Sequence, residues 1–306
     1  MNNSNGKTFG SSFERIFIAF LSIATGITLI YLAVKGPLFL HHIKYKTADI
    51  INNQLIGQDI VNLFLLSPIL IIGGVTLFLK KRISRYLLII TPLYLIYFVL
   101  SYTIGWEWSS PKYTGNSEQF TYHFLFVLIS SLIILLHSLS IFPKDVVSTF
   151  KKKGLIVYSI LFSFFLLIFA SMWIKEIQEV ISTGTTRAYD IAPTAFWLVR
   201  IFDLGFTIPL GFISVYLLWV RPNTTYPIQF MFYGFFITMI VAVNTMGIMM
   251  YLNNDSTFLL RDLIVFFTLA LIVFTGFVYI LRNYKIKTDN IVLSESRLSS
   301  GVEKRA

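Results

Sequence analysis

The sequence contains no cysteine. That excludes disulfides, thiolate metal sites and cysteine nucleophiles. Charge is scarce as well. Asp, Glu, Lys and Arg make up 13% of the 306 residues, where a soluble domain carries about a quarter. A chain so poor in charge cannot cover its core with a polar shell. Four histidines are scattered, and there is no H-E-x-x-H, no phosphate-binding loop, no G-x-S-x-G elbow and no carboxylate–histidine cluster at metal spacing. No metal and no cofactor are expected, and no lysine stands in mid-span where a Schiff base would need one.

What the chain has is apolar length, with 56% hydrophobic and 17% aromatic residues. Eight apolar runs stand out: 14–34, 59–79, 86–105, 120–142, 154–174, 194–220, 228–251 and 258–281. Each supplies the roughly 20 residues that cross a 30 Å hydrocarbon core at 1.5 Å per residue. Runs this long satisfy their backbone as helices, not as barrel strands. The sequence therefore predicts an all-α membrane protein of eight transmembrane helices, the lipid bilayer being its first partner. The polar start, Met1 to Ser12, leads into a run of spanning length, which predicts a retained first helix and not a cleaved signal.

The connections give an orientation. Lys7, Arg15, Lys80, Lys81, Arg82, Arg85, Lys144, Lys151, Lys152, Lys153, Arg221, Arg282, Lys285, Lys287, Arg297, Lys304 and Arg305 all fall on one side. The alternate loops hold Asp49, Glu107, Glu118, Glu176, Glu179, Asp190, Asp255 and Asp262. Basic connections stay in the cytoplasm, so both termini are expected there, in a cell membrane and most simply a prokaryotic plasma membrane. The net charge of +10 then reflects topology and not nucleic-acid binding. Trp106, Trp108 and Trp173 are expected at the outer headgroup level, and Trp219 at the inner one.

Helices 2 and 6 share a pattern. Asp59-Ile-Val-Asn62 precedes Pro68 and Lys80, as Arg200-Ile-Phe-Asp203 precedes Pro209 and Arg221. An offset of 141 aligns Asn62 with Asp203, Asp59 with Arg200 and Pro68 with Pro209. Four helices return the chain to its starting side, so two such copies run parallel, and in transporters built this way the binding site lies between the repeats. The expected organisation is a tail (1–13), a first four-helix repeat (14–142), a basic linker (143–153), a second repeat (154–282) and a polar tail (283–306). Each proline removes a backbone donor in mid-helix and is expected to kink it.

Charges within a span cost at least about 2.5–3.5 kcal/mol on insertion scales, which singles out Arg200 and Asp203. They share a helix face. Asp59 and Asn62 have the same spacing at the expected outer end of helix 2, and across a pseudo-twofold axis Asp59 is expected to face Arg200. His123, Tyr102, Asn244, Arg261 and Asp262 fall at similar depth, while the inner half offers His137, Ser130, Ser131, Tyr94 and Tyr97. The expectation is an outward-facing polar pocket lined by helices 2, 4, 6, 7 and 8. Asp59, Asn62, His123, Arg200, Asp203 and Asn244 would contact a small polar or charged ligand.

The run Gly57-Gln-Asp-Ile-Val-Asn-Leu with Ser67-Pro68, the tyrosine-rich third helix and Phe202-Asp-Leu-Gly-Phe-Thr-Ile-Pro-Leu resemble a family of multi-pass membrane proteins of bacteria and archaea. In that family an aspartate opens helix 2 and an Asp-Leu…Pro motif marks a later helix. The resemblance covers roughly residues 55–140 and 195–250 and implies no activity. Three functions remain open on sequence. The first is a small-solute permease. The second is an intramembrane enzyme on lipid or isoprenoid substrates using Asp59, Asp203 and His123. The third is a non-catalytic scaffold or sensor subunit.

Overall fold

The computed structural model describes residues 10–107, 110–143 and 146–286. Trp108, Lys144 and most of both tails, with Lys7, Lys287, Arg297, Lys304 and Arg305, lie outside the described residues. Among the described residues eight helices are long and apolar enough to cross a membrane. They are α1 (Ser12–Lys35), α2 (Asp49–Phe78), α3 (Ser84–Ile104), α4 (Ser117–Ile141), α5 (Lys152–Thr183), α6 (Pro193–Val220), α7 (Tyr226–Leu252) and α8 (Leu260–Arg282). This is an all-α, multi-pass membrane protein. Among the described residues a two-stranded sheet joins β1 (Val146–Ser148) to β2 (Tyr284–Ile286) in antiparallel register.

Local chemistry explains the ends. Ser11 and Glu14 form a reciprocal capping box at the start of α1. Glu107 receives the backbone amide (2.6 Å) and hydroxyl (2.8 Å) of Thr194, which places a carboxylate at the positive N-terminus of α6. Gly184, with φ of +76°, ends α5 in the left-handed conformation that glycine adopts freely.

Two helices outrun their apolar stretches. α2 begins at Asp49 and not near 59, and α5 continues to Thr183 and not 174. Hydropathy marks where lipid begins, while a hydrogen-bonded helix continues through polar turns that pack on protein. Gly57 lies in that extra length of α2, where an added Cβ would come 2.6 Å from the Met246 Cα of α7. Asp59 is consequently well inside α2 and not at its end.

The expected kinks take the form of π-helical turns, Asn62–Leu66 before Pro68 and Asp203–Thr207 before Pro209. In each, the amide of the residue before the proline reaches back five residues, Ser67 to Asn62 and Ile208 to Asp203. The wider turn gives the proline ring room that a regular α turn denies it. The two π turns stand 141 residues apart.

Helix packing follows the same offset. The principal contacts are α1 with α2 and α4, α2 with α3 and α7, α3 with α4, α6 and α7, α5 with α6 and α8, and α7 with α6 and α8. Exchanging α1–α4 for α5–α8 maps this set onto itself. The quality of packing differs, however. α1 lies close along α2: an added Cβ on Gly74 would sit 2.6 Å from the Ala19 carbonyl, and Ser22 donates to the Leu70 carbonyl at 2.7 Å. α5 and α8 meet near β1 and β2, where Tyr158 stacks on Tyr279 at 5.3 Å.

The two ends of the bundle are tied separately. At the end bearing the basic turns, β1 and β2 pair, Asn223 accepts from the Ser148 amide at 2.9 Å, and Tyr284 donates to the Pro222 carbonyl at 2.8 Å. At the far end Asn116 joins two loops through Lys44 and His42, and Asp255 accepts from Asn53 at 2.9 Å. Burial holds the Tyr45 hydroxyl well above the usual phenol range, with the Asp59 charge adding to it. Tyr45 therefore stays neutral where it packs on Trp106 and Tyr102.

Candidate functional site

A cavity of about 430 Å³ occupies the far half of the bundle between the two four-helix groups. Its walls come from α2, α3, α5, α6, α7 and α8, together with the short helix Arg187–Ile191. α4, expected to line a pocket, contributes nothing, and α3 and α5 take part instead. The walls are also less polar than expected. Phe162, Phe165, Phe169 and Trp173 project from α5, Tyr94, Tyr97, Phe98 and Tyr102 from α3, and Met239, Met246 and Met250 from α7.

The α5 residues follow from helical spacing. Positions 162, 165, 166, 169 and 173 recur at three and four, which puts them on one face, and Glu176 continues that stripe one turn further. The extension of α5 thus brings Glu176 to α6. Arg200 Nε donates to Glu176 Oε2 at 3.0 Å, and its Nη2 donates to the same oxygen. The guanidinium lies 4.0 Å from the Phe196 ring centre and 4.4 Å from that of Trp173. A planar cation between two aromatic faces is held by cation–π attraction as well as by its ion pair.

Asp203 is one turn deeper. Its Oδ1 accepts from Tyr97 (3.2 Å) and Thr207 (3.1 Å), and its Oδ2 from the Trp173 indole (3.0 Å). All three donors are neutral. Tyr97 and Trp173 each sit in the cavity wall, so the carboxylate is presented by α6 but shaped by α3 and α5.

Of the six residues singled out from the sequence, Arg200 and Asp203 line the cavity and four do not. The expected Asp59–Arg200 pairing is not made: Glu176 takes the guanidinium, and Asp59 instead accepts from the Leu38 amide at 3.2 Å. Asn62 is buried beside Gln58, whose amide donates to it at 2.9 Å and whose Oε1 accepts from Tyr94 at 2.7 Å. His123 stacks on Tyr31 of α1 at 5.0 Å, away from the cavity. Asn244 joins α7 to α8 by donating to the Ile240 (2.8 Å) and Phe266 (3.1 Å) carbonyls. At the opposite end of the bundle, His137 faces Glu14 at 3.0 Å. Tyr94 and Tyr97, expected in the inner half, belong to the cavity cluster.

Among the described residues no group of three or more His, Asp or Glu is placed to hold a metal ion. Compared with known protein families, with curated proteins and with solved structures, the chain matches none. The functional argument therefore rests on the geometry.

Proposed function

We propose that this chain is a permease-like protein of the cell membrane, built from two parallel four-helix repeats with both termini in the cytoplasm. In this reading it takes an amphiphilic small ligand into the cavity between the repeats. The observation that carries the proposal is the cavity itself: largely aromatic and aliphatic walls in which α6 presents Asp203 and Arg200, the latter paired with Glu176. Ligand sites have this character, an apolar body with a few convergent polar groups.

The repeat is supported by the paired π turns and by a contact set that survives exchange of the halves. The orientation is supported by the basic turns at one end. The wall chemistry moves the ligand from a small polar solute toward an amphiphile, since a fully polar molecule would lose its water to phenyl rings. An amphiphile also needs no continuous polar path toward the cytoplasm. An enzyme using Asp59, Asp203 and His123 would need them at one point, and only Asp203 borders the cavity.

The cysteine-free chain makes the orientation simple to test. A membrane-impermeant maleimide should label Lys112→Cys on intact cells and Lys81→Cys only after permeabilisation. The reverse pattern overturns the orientation. For the cavity, uncharged amphiphiles should raise the unfolding temperature of the purified protein by mass action. Val199→Trp, which fills the cavity, should abolish the shift. No shift with any amphiphile overturns the ligand site.

A further inference from the structure

Resting on the ligand site just proposed, we infer that the ligand is a cation: an amphiphile with one positive head that settles against Asp203 among aromatic rings.

Two carboxylates line the cavity, Asp203 and Asp262, and they are partnered differently. Arg200 is neutralised by Glu176. Asp262, at the rim, is shared by Arg187 at 3.6 Å and Arg261 at 3.2 Å. Asp203 has no cation within ion-pairing distance of its own, and its three partners, Tyr97, Thr207 and Trp173, are uncharged donors. A carboxylate accepting three hydrogen bonds still has lone-pair capacity for one more contact. The walls point the same way. Ring faces carry negative potential and attract cations, most of all when water is excluded. The protein already demonstrates the affinity, since Arg200 is itself held between Phe196 and Trp173. No lysine borders the cavity, and its one deep guanidinium is occupied, so an anionic head finds no free partner there.

Size and access are consistent. About 430 Å³ accommodates a molecule of drug-like dimensions. α5 and α8 stack through Tyr158 and Tyr279 near the basic end, while above that point both helices line the cavity. A ligand already dissolved in the bilayer can therefore approach between them.

The test uses two probes of nearly equal size and opposite sign, tetraphenylphosphonium and tetraphenylborate. Binding to purified protein is measured by equilibrium dialysis against protein-free micelles. The wild type should bind the cation about tenfold more tightly, or better, than the anion, since one close charge contact in a desolvated site is worth at least that factor. Asp203→Asn should remove the preference and Asp203→Glu should keep it. Because either change could disturb folding through Tyr97 and Trp173, a third variant leaves Asp203 untouched. Arg200→Gln frees the negative charge of Glu176 and should increase the cation preference. Equal binding of both probes by the wild type, a preference for the anion, or a cation preference unchanged in Asp203→Asn overturns the inference while leaving the ligand site in place. Binding of neither probe above micelle controls overturns both.

Discussion

The two halves of this protein share a helix-packing plan and use it differently. In the first, α1 lies against α2 along its length, and the chain then turns back at Gly36 so that the Leu38 amide meets Asp59. In the second, α5 continues past the corresponding point to bring Glu176 to Arg200 of α6, and its Phe162, Phe169 and Trp173 face the cavity. Equivalent positions carry opposite charge: Asp59 corresponds to Arg200, and Lys35 to Glu176, at the common offset of 141. Arg200 and Glu176 pair, whereas Lys35 turns to His42 at 3.0 Å and leaves Asp59 to the backbone. One half keeps its charged position against its own backbone, and the other presents its charged positions to the cavity that both halves wall.

The most severe test of that contrast places the same bulky residue at equivalent positions. Gln58 and Val199 are related by the offset and both border the cavity, but Gln58 is hydrogen-bonded to Asn62 and Tyr94 while the Val199 side chain has no such partners to lose. Gln58→Trp should lower the yield of monodisperse protein on size-exclusion chromatography, because two buried hydrogen bonds are lost and Asn62 and Tyr94 are left without their partner. Val199→Trp should purify normally and lose ligand binding alone. Loss of folding in both variants would show the cavity to be as intolerant as the core.

Glycine gives the intermediate test. An added Cβ at Gly74 meets the backbone carbonyl of Ala19, which cannot move without shifting α1. At Gly211 the same atom meets the Leu166 side-chain tip, 2.6 Å away, beside the cavity. Gly74→Ala should therefore cost about 1–3 kcal/mol, the usual range for overpacking. Gly211→Ala should cost less than half as much, because Leu166 can rotate into free volume. Unfolding temperatures of the two purified variants measure the difference. Equal losses would mean that the second half is packed as rigidly as the first.

Much of the fold was legible because lipid leaves few choices. Apolar runs of spanning length must be helices, so all eight were countable from sequence. The boundaries of α2 and α5 were not, since Asn52 to Gln58 and Lys175 to Thr183 are polar and helical at once. That shortfall hid the decisive partner. Arg200 and Asp203 were visible as costly charges, but Glu176 looked like loop. Continuing the stripe of Phe162, Phe169 and Trp173 through one more turn would have found it. Asp59 was misassigned for the complementary reason: its match to Arg200 is one of position at the 141-residue offset, and a matching position does not imply contact. The π turns were unreadable, because a proline announces a broken turn without saying which wider turn replaces it.

The smallest effect is expected where the halves are fastened at the far end. Asp255, between α7 and α8, accepts from Asn53 of α2, and from the Thr257 amide and hydroxyl at 2.8 and 2.7 Å. Burial alone would raise its pKa, but the hydrogen bonds from Asn53 and Thr257 outweigh it and hold the carboxyl below its ordinary 3.8. A carboxyl depressed in the folded state contributes fully above that ordinary value and loses its contribution as pH falls through the lower folded one. The fastening should thus be intact at pH 5 and weaken below 3.8. The expected change is about 1 kcal/mol or less, given the site's closeness to solvent. Unfolding temperatures of the wild type and Asp255→Asn between pH 5 and pH 3 give the comparison. The wild type should lose more over that interval, while the variant, which cannot titrate there, keeps a flatter profile. Parallel profiles would mean that Asp255 does not fasten the halves, leaving that role to the hydrogen bond from Asn253 to Asn53 and to Gly57 against Met246.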